Sequence, residues 1–195
     1  MARINITKIS GKQILTIEKG LLDYDFIMKN WKSNSSDFQE VYYEFYLKAE
    51  FATFGNLYNR IVYFNRLKAM KPTDTLFDIM ADLNKIKKHN EFSVSTKLLH
   101  TFNPANPIYD SKIREYLSKD EHVDLWWNLS KTGAPRSTPK IDKIKHDWVV
   151  LNDWYNSFLK STDGKKWIAW FNGQFPKYTS ISDVKKIDFI IFACK

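Results

Sequence analysis

The sequence predicts a mainly α protein, on three observations. Apolar residues recur at helical spacing along most of the chain. Glycine and proline number only six each in 195 residues, too few for the turns of a β-sandwich. Hydrophobic residues make up 44% and aromatics 16%, enough to fill a packed core. The length suits one domain or a main domain with a small appendage. The expected division is an N-terminal extension over 1–31 and a helical domain over 32–195.

The extension is the exception to the helical pattern. Ile4, Ile6 and Ile9, then Ile14, Leu15 and Ile17, form two β-branched-rich runs around Ser10-Gly11-Lys12. Runs of that kind around a turn predict a small β-hairpin. From Lys32 to Asp37 the chain is polar and serine-rich, and Ser36 with Gln39 matches a capping box. A helix follows with Phe38, Val41, Tyr42, Phe45, Tyr46 and Ala49 on one face. The next runs from about Asn56 to Leu67, and Lys71-Pro72-Thr73-Asp74 makes a loop and cap. Leu76, Phe77, Ile79, Met80, Leu83 and Ile86 mark a further helix, which Lys85, Lys87 and Lys88 end. Those cations complement the helix dipole and serve equally well as phosphate contacts.

The informative stretch is Phe92 to Leu117, FSVSTKLLHTFNPANPIYDSKIREYL. It reads as a buried helix carrying Lys97, stopped by Asn103-Pro104 and Asn106-Pro107. Asp110 or Ser111 then caps a helix with Ile113, Tyr116 and Leu117 at i, i+3, i+4. A lysine and a carboxylate thus come to one end of two adjacent helices. Glu121 to Leu129 reads as a short helix with Trp126-Trp127, and Ser130 to Lys140 as a basic loop. The longest helix is marked by Ile141, Ile144, Trp148, Leu151, Tyr155, Phe158 and Leu159. Turns are expected at Asp163-Gly164 and Asn172-Gly173, around a short apolar piece from Trp167 to Phe171. A last helix starts near Ser182 and buries Val184, Ile187, Phe189, Ile190 and Ile191.

Thirty basic against twenty-two acidic residues give a formal charge of +8 and a pI near 9.3. That balance favours an anionic partner, nucleic acid above all. The single cysteine, Cys194, excludes a disulfide framework within the chain and a cysteine-based zinc site, and fits a reducing cytoplasm. His89, His100, His122 and His146 form no ligand pair at helical spacing, so no metal is expected, and no cofactor is implied. No apolar run reaches membrane-spanning length, and the N-terminus lacks a signal-peptide core.

Ser93-Val94-Ser95-Thr96-Lys97, followed by Pro107-Ile108-Tyr109-Asp110-Ser111-Lys112-Ile113, resembles the signature of the helix-hairpin-helix DNA glycosylases. In that superfamily a G-V-G-[TR]-[KS] hairpin opens a helix, and a P-[IV]-x-D-x-x-[VI] segment carries an essential aspartate. Here Ser93 and Ser95 stand in place of the two hairpin glycines, and the link from Lys97 to Asp110 is shorter than in the oxidised-guanine branch. The resemblance implies a helix-hairpin-helix glycosylase-like fold for 32–195, with DNA as partner and excision of an extruded base as activity. It makes Asp110 the carboxylate that stabilises positive charge on the sugar. Lys97 becomes the amine that attacks C1′. Tyr109, Trp126, Trp127 and His100 would form the base pocket. Ser93, Ser95, Thr96, Lys112, Arg114, Lys131, Arg136 and Lys140 would meet the phosphates.

Read from the residues alone, other roles stay open. Asp110 is equally a plain helix N-cap. Lys97 can be a surface residue or the partner of Asp110, the tryptophans core, and His100 a satisfied structural histidine. The alternative function is a non-catalytic module that binds nucleic acid or a protein on the same helical scaffold.

Overall fold

The structure, a computed structural model, describes residues 4–33, 35–47, 57–87, 91–126 and 141–195. Among them are nine α-helices and no strand. The N-terminal isoleucines accordingly form helix and not a hairpin. A 3-10 turn over Ile6–Lys8 precedes α1, Gly11–Asn30. Ser10-Gly11-Lys12 is the start of that helix, because the Ser10 side chain accepts from Gln13 N–H and Gln13 reaches back in a reciprocal capping box. The buried positions Ile17, Leu21, Tyr24 and Ile27 recur every three or four residues. That period outweighs the β preference of single isoleucines.

The mainly α expectation holds for the remaining described residues. α2 is Ser36–Tyr42, capped by Ser35, one residue before the expected cap. It runs on as a π-helical turn, Tyr43–Leu47. α3 spans Leu57–Lys68, α4 Leu76–Lys87, α5 Phe92–Phe102 and α6 Ser111–Lys119. α7 covers Ile141–Lys160, α8 Thr162–Gln174 and α9 Asp183–Cys194. Glu121–Trp126 is not helical, and the rest of the expected short helix lies outside the described residues. The two turns expected between Lys160 and Gly173 are instead the first and last turns of α8. Ser161 caps that helix. Gly164 is needed in its first turn, since a Cβ there would lie 1.9 Å from the Phe158 carbonyl oxygen.

α9 is the axis of the packing, in contact with α1, α6, α7 and α8. Every residue from Val184 to Ile191 is buried, charged ones included. α3, α4 and α5 pack on one another beside this group. α5 joins the two halves through its polar side chains, and it is buried continuously from Val94 to Thr101.

Six tyrosines are almost fully enclosed, and the hydroxyl of each has a partner. Tyr24 meets His100, Tyr42 meets Thr101, Tyr63 meets Glu91 and Tyr109 meets Asp147. Tyr116 donates to Glu121 and Tyr155 to Asp188. Burying a hydroxyl without a partner costs about 1–3 kcal/mol, so these bonds select one arrangement of the core. They tie neighbouring helices together at points the apolar stripes do not specify.

Candidate functional site

Four charged side chains gather where α5, the cap of α6 and α9 approach the π-helical turn. Lys97 is on the inner face of α5 and only 5% exposed. Its Nζ donates to the Tyr46 carbonyl at 2.8 Å. A π-helical turn breaks the regular i to i+4 ladder, which leaves carbonyls available for such side chains.

The loop after α5 is held from several sides. The Asn103 N–H still bonds to the Leu99 carbonyl, and two prolines then prevent further helix. His100 Nδ1 donates to the Asn106 carbonyl at 2.6 Å, and its Nε2 accepts from the Tyr24 hydroxyl at 3.1 Å. Burial, helped by the nearby Lys185 charge, pushes this imidazole down to about 3, so it is neutral at physiological pH. The Thr96 hydroxyl accepts from Tyr109 N–H at 3.1 Å, which sets the chain just before Asp110. Asp110 is the N-cap of α6, its Oδ1 accepting from Ile113 N–H at 2.9 Å.

α9 contributes the other two charges. The Ser182 hydroxyl caps α9 through Lys185 N–H and donates to the Pro104 carbonyl at 2.7 Å. The start of α9 is therefore pinned to the α5–α6 loop. Lys185 Nζ stands 5.0 to 5.4 Å from the ring centres of Phe189, Tyr46, Tyr24 and Phe45, which form an aromatic cage. It is 4.0 Å from Asp188 Oδ2. Asp188 accepts a short hydrogen bond from Tyr155 on its Oδ1. Its Oδ2 has no hydrogen-bond partner among the described residues, and neither has the Tyr46 hydroxyl.

Lys185 and Asp188 feel the charges around them. Burial lowers the Lys185 ammonium below the lysine range, Asp188 and Asp110 oppose that shift, and the Lys97 charge adds to it. Burial likewise raises the Asp188 carboxyl to about 7, with Lys185 and the Tyr155 hydrogen bond opposing and Asp110 adding. A carboxyl that titrates near neutrality and two lysines in a water-poor setting are the materials of proton transfer and amine chemistry.

The expected phosphate contacts separate into groups. Ser95 and Thr96 are wholly buried inside α5, and Ser95 N–H is taken by the Glu91 carbonyl. Ser93 is half-buried in the first turn of the same helix. The Lys112 ammonium lies against Phe192, 4.4 Å from its ring, and donates to its carbonyl. Arg114 sits beside Tyr109. Lys131, Arg136 and Lys140 lie outside the described residues, as does Trp127.

Of the expected base-pocket residues, Tyr109 is enclosed, packed on Phe92 at 4.5 Å and bonded to Asp147. His100 is part of the core hydrogen-bond chain. Trp126 is 46% exposed and stacks on His146 at 3.6 Å, its backbone N–H held by Asp147. A separate cleft of about 580 Å³ opens between the N-terminal 3-10 turn, α7 and α8, lined by Tyr116, Trp154, Phe158 and Trp167. None of the four clustered charges lines it.

Sequence reasoning placed Lys97 and Asp110 at one end of adjacent helices and missed Lys185, Asp188, Tyr46 and Tyr155. A signal was present: Lys185 and Asp188 interrupt an apolar helix on its buried side, at a spacing of three. Among the described residues, no group of three His, Cys, Asp or Glu side chains is arranged to hold a metal ion. No helix is long and apolar enough to cross a membrane. No family model, no curated protein and no solved structure matches this chain, so its functional reading rests on its own residues.

Proposed function

We propose that the chain binds DNA and releases a base by cleaving its N-glycosidic bond, in the manner of the helix-hairpin-helix glycosylases that Ser93–Lys97 and Pro107–Ile113 resemble. The observation that carries the reading is the convergence of Lys97 and Asp110 on one buried charge cluster. Lys97 is the amine that bonds to C1′, and Asp110 stabilises the positive charge that develops on the sugar. Trp126, whose ring is half exposed, offers a face for stacking. The formal charge of +8 supplies the attraction to a phosphate backbone.

The test is release of bases from DNA rich in natural and damaged bases, scored as new abasic sites. Wild type should generate them and Asp110→Asn should not, although both bind DNA. A second reading, the binding module without catalysis, is favoured by one fact. Lys97 Nζ and Asp110 Oδ1 each already have a structural bond, to Tyr46 and Ile113. Salt-sensitive DNA binding by both proteins, with no abasic sites from either, would establish that reading instead. Binding that ignores salt would point to a protein partner.

A further inference from the structure

We propose that the cleft between the N-terminal 3-10 turn, α7 and α8 binds a small organic cation with an alkylated ammonium head. The site is separate from the base-excision reading, which uses none of its residues.

Local devices build the cleft. Asn5 fixes one wall, its Oδ1 accepting from both the N–H and the hydroxyl of Thr7, and the 3-10 turn packs on α8. α7 and α8 meet at a tight corner. There Ser161 caps α8, and its hydroxyl donates back to the Phe158 carbonyl at 2.7 Å. The corner sets Phe158 of one helix against Trp167 of the next, with ring centres 5.0 Å apart. α6 adds Tyr116, whose ring centre is 6.0 Å from that of Trp154 and 6.2 Å from that of Trp167.

Three properties of the lining select the ligand. The first is the set of its rings. Phe158 and Trp167 meet at 75°, Tyr116 and Trp154 at 78°, and Tyr116 and Trp167 at 49°. Rings so inclined offer a mixture of faces and edges to the space they share, and a cation is attracted to any face it meets. A flat base gains most between two parallel faces. Trp154 and Phe158 lie nearly parallel, at 11°, but their centres are 4.8 Å apart, so no base slides between them.

The second property is charge. Glu121 and Asp163 line the cleft against one ammonium, Lys166, so its lining is net negative in a chain whose formal charge is +8. Lys166 and Asp163 form an exposed pair at 3.8 Å. Glu121 is half-buried and accepts from the hydroxyl of the enclosed Tyr116 at 2.8 Å. A carboxylate fixed beside aromatic walls compensates an ammonium that leaves water, whereas a phosphate would meet two like charges. The third property is size. The volume of about 580 Å³ falls within the range of about 300–1,000 Å³ that small-molecule sites occupy.

The experiment uses the full chain and labelled choline in equilibrium dialysis at constant ionic strength. The competitor is dimethylbutanol, the neutral alcohol in which carbon replaces the quaternary nitrogen. Choline should bind saturably, and the alcohol should compete about tenfold more weakly than unlabelled choline. Glu121→Gln keeps an acceptor for the Tyr116 hydroxyl and loses the charge, so it should bind choline roughly tenfold more weakly. Lys166→Ala removes a like charge and should bind choline more tightly, by roughly twofold to fivefold, a gain that a damaged fold does not mimic. Should Glu121→Gln lose its helical circular dichroism, Lys166→Ala decides alone. Equal affinity for choline and the alcohol makes the cleft an apolar groove and overturns the inference. No saturable choline binding by wild type, or no gain in Lys166→Ala, overturns it as well. All of these outcomes leave base excision standing, and failure of base excision leaves this site standing.

Discussion

Two regions of the molecule each bring a lysine and an aspartate to the same centre, and they do it differently. The α5–α6 stretch places Lys97 and Asp110 on separate helices, across a loop stopped by Pro104 and Pro107. Both side chains are tied to the backbone, one to the Tyr46 carbonyl and the other to Ile113 N–H. α9 places Lys185 and Asp188 three residues apart on one helix, held by aromatic rings and a phenol. Backbone ties make the first pair a piece of architecture that a conservative change barely disturbs. The second pair depends on side chains alone, and a single truncation takes away its support.

That contrast can be broken first at Lys185. Lys185→Ala leaves Asp188 buried beside an empty cage, and truncating one member of a buried pair costs about 3–5 kcal/mol. Urea denaturation at neutral pH should show a loss of that size. A loss under about 1 kcal/mol would mean that the cage and Asp188 adjust freely.

A pH series sharpens the comparison next. His100 falls to about 3 in the folded state from 6.5, so its contribution is complete above 6.5 and is lost as pH drops toward 3. Asp188 rises to about 7 from 3.8, so it binds its proton more tightly when folded. Its contribution therefore grows as pH falls from 7 to 3.8, against that of His100. Asp188→Asn removes the opposing member. Its urea midpoint should fall more steeply than that of wild type as pH is lowered from 7 toward 4. Parallel curves would show that Asp188 does not titrate in that window.

The smallest effect is expected at Asp110. Asparagine caps helices about as well as aspartate, so Asp110→Asn should cost less than about 0.5 kcal/mol, and Asp110→Ala about 1 kcal/mol. A melt comparison of the two variants checks this. A large loss in Asp110→Asn would mean that its charge holds the cluster together, beyond its cap.

The same contrast explains what was legible in the sequence. Proline stops, a capping aspartate and a lysine among leucines are local signals, so Lys97 and Asp110 could be placed at one end of two helices. The stripes of α4, α7 and α9 were equally plain, because helix periodicity is a property of neighbours in the chain. α1 is harder to see, because its isoleucines favour strand one by one and Ser10-Gly11-Lys12, the start of a capped helix, has the composition of a turn. Lys185 and Asp188 interrupt the apolar run of α9 at a spacing of three, which a solvent-facing pair would do as well. Only the packing of α1, α6, α7 and α8 around α9 removes the solvent from them. Burial on all sides of a helix is a tertiary property, so the spacing within α9 hints at the pair without fixing its burial.

The π-helical turn at Tyr43–Leu47 also acts as a register mark. A helix advances about 100° per residue, so losing one residue there would restore an α-turn and rotate everything before it relative to everything after. Phe45 and Tyr46 would leave the cage around Lys185, and the carbonyl that receives Lys97 would turn away in the same motion. Insertions and deletions in this short segment should therefore be far less tolerated than point substitutions of the same residues. The length of the segment is as much a part of the site as the identity of any side chain in it.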